Sequence, residues 1–65
     1  MDENRRFYYA AYLLGRAVVY GLMTRERACS RLKRFMGAEY TAAHPCAADT
    51  WADQCIRRAE VEING

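Results

Sequence analysis

The sequence predicts an all-α domain: a small three-helix bundle (helices about 4–20, 25–36 and 47–62), completed by homodimerisation. Three observations carry that expectation. Apolar residues recur three and four apart, as one face of a helix requires, in three separate stretches. Gly21, Gly37 and the His44-Pro45 pair fall between those stretches, where helices end and loops begin. Only Val18-Val19-Tyr20 has strand-like composition, and it lies inside a helical pattern. The 65 residues form one domain, residues 1–65, and a domain of that size buries only about 60% of its unfolded surface. Eleven of the apolar residues are alanine, and Leu, Ile, Val and Phe together also number eleven, so Tyr, Trp and Met must join the core. A second subunit is the simplest supplement, since it needs neither metal nor disulfide.

The first helix begins at a cap supplied by Asn4, or Asp2 before it, and ends near Gly21. Its core stripe is Phe7, Ala11, Leu14, Val18 and Leu22, widened by Tyr8, Gly15 and Val19. A second face carries Arg5, Tyr9, Tyr12, Arg16 and Tyr20 at spacings of four, three, four and four. Tyr and Arg are enriched at binding hot spots, so this face is a candidate interface as well as a candidate snorkelling surface. Gly15, one turn after Ala11, allows close approach of another helix, either within the chain or from a second copy.

Thr24 caps the second helix, whose buried stripe is Ala28, Cys29, Leu32, Phe35 and Met36. Arg27, Arg31 and Arg34 line the opposite side, with Glu26 the one acid among them. Residues 37–45 read as a loop. The third helix turns Ala48, Trp51, Ala52, Cys55, Ile56, Ala59 and Ile63 inward, with Trp51 the expected centre of the core. Asp49, Asp53, Arg57 and Glu60 face outward, Asp53 and Arg57 forming an i,i+4 pair.

Charge is split along the chain. Residues 5–34 carry Arg5, Arg6, Arg16, Arg25, Arg27, Arg31, Lys33 and Arg34 against Glu26, a net of +7. Residues 35–65 carry Arg57 and Arg58 against Glu39, Asp49, Asp53, Glu60 and Glu62, a net of −3. With Asp2 and Glu3 the formal total is +2. A basic half of this kind suits an acidic protein surface, or else a nucleic-acid backbone. Proteins that mimic DNA are strongly acidic, which this chain is not.

Ala17-Val18-Val19-Tyr20-Gly21-Leu22 followed by a basic helix resembles the front half of a helix-turn-helix. Arg27 and Ser30 depart from that motif, standing where it usually buries aliphatic side chains. Cys29, His44, Cys46 and Cys55 are an alternative structural zinc set, although no C-x-x-C pair is present. No cofactor is expected, and no arrangement of His, Ser or paired carboxylates points to catalysis.

The N-terminus opens with acids, and Gly15 and Arg16 interrupt the apolar stretch behind it, so neither a secretory signal nor a membrane span is expected. Three irregularly spaced cysteines favour a reducing cytoplasm. A chain beginning at Met1 with a single domain is expected to act by occupying a partner protein, as a regulator or an inhibitor of the kind mobile elements and phages encode. The residues expected to carry that binding are Arg5, Tyr9, Tyr12, Arg16, Tyr20, Arg27, Arg31 and Arg34. A small DNA- or RNA-binding regulator using the second helix is the alternative.

Overall fold

Two glycines set the course of the chain in the computed structural model, which describes residues 3–65; the Asp2 cap lies outside the described residues. The first helix, α1, spans Glu3–Val19. It closes where Gly21 takes a left-handed φ of 80°, its N–H bonding Val18 C=O at 3.0 Å while Leu22 N–H bonds Ala17 C=O at 2.9 Å. Thr24 then caps α2 (Arg25–Met36), its hydroxyl accepting from Arg27 N–H at 3.2 Å. Gly37, with φ 95°, ends α2 through its N–H to Lys33 C=O.

Residues 37–45, expected as a loop, contain a further helix, α3 (Ala38–Ala43). Six residues are too few for an independent helix. Tertiary contact holds this one: the Tyr40 ring packs at 4.8 Å against Phe7, and the Thr41 hydroxyl donates to Lys33 C=O at 3.2 Å. After the His44–Cys46 turn comes α4 (Ala47–Asn64), the helix expected third. Among the described residues the domain is thus an all-α bundle of three long helices and one short one. No helix among the described residues is long and apolar enough to cross a membrane.

The α1–α4 packing is the most extensive in the fold. Its seam consists of small residues: Ala11 and Gly15 from α1 against Ala48, Ala52, Cys55 and Ala59 from α4, all buried. A Cβ at Gly15 would stand 2.8 Å from the Cys55 carbonyl carbon and 2.9 Å from the Ile56 nitrogen. Gly15 therefore serves a helix crossing within the chain. The third side is closed by Ala28, Cys29, Leu32 and Met36 of α2. Leu32 and Cys55 are the largest fully buried side chains.

Trp51 is half-buried and not the centre of the core. Small residues draw the helices together in the middle, so the indole is displaced to one end, 5.9 Å from the Phe7 ring. Leu22, expected in the α1 stripe, is 76% exposed because the Gly21 turn carries it off the helical face. Phe35 is 47% exposed, resting edge-on at 6.0 Å against Phe7 from the flank of α2. Tyr8, expected against the core, is likewise exposed.

Candidate functional site

The exposed side of α2 is a continuous basic strip. Spacings of four and three bring Arg27, Arg31 and Arg34 to one face, directed away from the buried Ala28, Leu32 and Met36. With Ser30 they line a concavity of about 250 Å³. Among the described residues none of the three guanidiniums has an ion-pair or hydrogen-bond partner. Arg27 and Ser30 are both exposed, so α2 does not bury the positions that a helix-turn-helix would bury.

The arginine–tyrosine face of α1 is only partly free. Its C-terminal half turns toward α4. The Tyr12 hydroxyl donates to Glu62 Oε1 at 3.0 Å, and Arg16 donates to the hydroxyls of Tyr12 at 3.4 Å and Tyr20 at 2.9 Å. Arg16 also stands 3.7 Å from Glu62, and Arg58 lies 3.5 Å from the same carboxylate while donating to the Tyr8 hydroxyl. These contacts hold the Arg16 guanidinium above its ordinary pKa, chiefly through its bond to Tyr12, and raise Arg58 through Tyr8. Tyr12 is half-buried against the core, whereas Tyr20 and Tyr9 are exposed. The expected Arg/Tyr set therefore divides: Tyr12 and Arg16 brace α1 on α4, Tyr20 is exposed and held by Arg16, and Arg5 and Tyr9 stand apart at the other end.

Asp53 pairs with Arg25 and not with Arg57. The guanidinium takes both carboxylate oxygens, at 2.6 and 2.9 Å, fastening the start of α2 to α4. This contact holds the Asp53 carboxyl below its ordinary 3.8 and raises the Arg25 guanidinium above its own ordinary value. The Asp53 side chain stays 45% exposed, but the side of α4 that carries it faces the first turn of α2, so its partner is Arg25. Nothing in the local pattern signals a partner 28 residues away.

A second concavity, of about 330 Å³, lies between α1 and α2 and is lined by Arg5, Arg6, Tyr9 and Phe35. The Arg6 guanidinium sits 5.6 Å from the centre of the Phe35 ring. Arg6 and Phe35 were outside the expected site. The signal for Arg6 is its place one residue from Arg5 and three from Tyr9; Phe35 was assigned to the core.

The four candidate zinc ligands are not brought together. Cys29 and Cys55 are buried in the core, Cys46 is exposed, and the His44 ring packs at 4.5 Å on Tyr40. Among the described residues no three His, Cys, Asp or Glu side chains are grouped to hold a metal ion. Burial raises both core thiols, with Asp49 adding to the effect at Cys29. No family model, curated protein or solved structure matches this chain.

Proposed function

We propose that this chain is a non-enzymatic binding module that occupies a carboxylate-rich surface on a partner protein through the exposed side of α2. One contrast carries the reading. Arg16 and Arg58 share Glu62 and Arg25 takes Asp53 within the fold, while Arg27, Arg31 and Arg34 surround an open concavity that no acid lines among the described residues. Guanidinium forks bind carboxylates bidentately, and a hydrogen bond to a charged group is worth about 1.5–3 kcal/mol. Regulation or inhibition would follow from simple occupation of the partner's surface.

A nucleic-acid backbone would also suit three free arginines. Exposed Phe35 and Tyr9 beside the strip suit a protein interface, where aromatic side chains are enriched, and offer nothing to duplex phosphates, although unpaired bases would also stack on them. Salt separates the two. Three phosphate contacts on duplex DNA give a log–log slope of about −2.7, whereas a protein interface with apolar contacts responds less.

Self-association is a second reading, favoured by Tyr9, Leu13 and Tyr20, which are all exposed along one side of α1. Arg5 and Arg16 share that side, so direct α1–α1′ pairing sets like charges together. Sedimentation equilibrium decides this: self-association predicts a species of twice the 7.5 kDa chain mass, and its absence refutes it.

The partner reading is tested by placing a photo-crosslinking residue at Ser30 and irradiating cells of the native host. The expected product joins Ser30 to an Asp/Glu-rich segment of one protein, and the Arg27/Arg31/Arg34 triple-alanine variant loses it. Crosslinks to nucleic acid, or crosslinks unaffected by the triple change, would refute the proposal.

A further inference from the structure

The concavity between α1 and α2 differs in kind from the α2 strip. Its floor is made of two rings, Tyr9 at 64% exposure and Phe35 at 47%, left uncovered on adjoining helices. Phe35 leans on the buried Phe7, so its half of the floor is fixed to the core and needs no ordering on binding. The rim is Arg5 and Arg6, and among the described residues no carboxylate lines the space. About 330 Å³ open to solvent accommodates a single large side chain, while offering no enclosed tunnel for an extended lipid tail.

Resting on the docking reading above, we propose that this concavity receives one aliphatic or aromatic anchor of an acidic segment in the partner, with Arg5 and Arg6 gripping the carboxylates beside it. The two exposed guanidiniums at the rim steer an acidic segment in and select against a basic one. A second copy of this chain fits less well. The exposed Tyr9 and Tyr20 stand four residues from Arg5 and Arg16, and the exposed Val61, although flanked by Glu60 and Glu62, has Arg57 and Arg58 four and three residues before it on the same helix. Charge complementarity to Arg5 and Arg6 assigns the site to an acidic segment of a different protein, with a second copy as the competing outcome of the test. Phe35 lies four residues after Arg31 and one after Arg34, so the anchor site continues directly into the α2 strip.

The experiment pans a random 12-residue peptide display library on the immobilised full chain, and then measures the enriched peptides by fluorescence polarisation. The variants are Tyr9→Ser, Arg5→Glu and the Arg27/Arg31/Arg34 triple alanine, each checked for helicity by circular dichroism. Tyr9 and Arg5 are exposed, so both changes leave the fold intact. Enrichment of peptides with one large apolar residue within a turn of Asp or Glu, bound about ten-fold more weakly by both Tyr9→Ser and Arg5→Glu, is the expected result. No enrichment, peptides lacking acids, or affinity unchanged by Tyr9→Ser would overturn the proposal. Dissociation of a dimer by Tyr9→Ser would also overturn it, by assigning the face to a second copy. Anchored acidic peptides that the triple variant binds unchanged would support this site while refuting the α2-strip reading, so the two failures are distinguishable.

Discussion

Replacing Gly15 with alanine probes the closest approach in the fold. The added Cβ would meet Cys55 C at 2.8 Å, Ile56 N at 2.9 Å and Cys55 Cβ at 3.0 Å. Ordinary contact between carbon atoms lies near ~3.5–4.0 Å, so α4 must retreat by roughly half an ångström or more. The obstructing atoms are mostly helix backbone, which cannot rotate aside. A retreat also loosens Ala11 against Ala52, Cys55 and Ala59, the dry seam that joins the two longest helices. Overpacking of this kind costs about 1–3 kcal/mol, and a backbone clash belongs at the upper end. Alanine returns about 1 kcal/mol of helix propensity. The net expectation is destabilisation by about 2 kcal/mol. For a domain of this size that corresponds to a Tm lower by about 8–16 °C. Thermal unfolding followed by circular dichroism reads it, with Gly21→Ala as a control that strains the backbone at positive φ but meets no neighbour. An unchanged or higher Tm for Gly15→Ala would refute the α1–α4 crossing. A loss of dimer without loss of monomer stability would instead place Gly15 between two copies.

Two further outcomes follow from the electrostatics. Asp53 has a folded pKa below its ordinary 3.8 because of Arg25, so its contribution is present above that value and is lost as pH falls through the lower folded pKa. Urea denaturation from about pH 4 downward should therefore show stability falling with acid, and Asp53→Asn should flatten that slope; an unaltered slope would deny the pair a role. Among the thiols, Cys46 should react with Ellman's reagent at once, and Cys29 and Cys55 only as the protein opens, since burial raises both. Three equally fast thiols would contradict the placement of the core.

Most of the fold was legible in the sequence because it depended on local chemistry. Thr24, Gly21 and Gly37 mark helix ends by their own capping and conformational preferences, and the α2 stripe of Ala28, Cys29, Leu32 and Met36 follows from periodicity. What was missed depends on tertiary placement. The helix at Ala38–Ala43 exists through Tyr40 on Phe7, a contact no local pattern contains. Trp51, the chain's only tryptophan, was expected at the centre, but Ala11, Gly15, Ala52 and Ala59 bring the helices too close to admit it. At the candidate site, the α2 strip could be read directly, since the exposed side of an amphipathic helix is fixed by its buried side. The α1 face could not: whether Tyr12 and Arg16 are free depends on Glu62, fifty residues from Tyr12.

The central claim, that Arg27, Arg31 and Arg34 are held free for a partner, is tested most directly by one titration. The protein crosslinked through Ser30 is purified and titrated calorimetrically with the unchanged chain and with the triple-alanine variant. Each exposed arginine outside a fold's contacts can be replaced within ~0.5 kcal/mol of stability, so the triple variant should remain folded at the titration temperature. Affinity should fall by at least about ten-fold, the equivalent of one lost charge-assisted hydrogen bond. An unchanged Kd for a folded triple variant would contradict the claim.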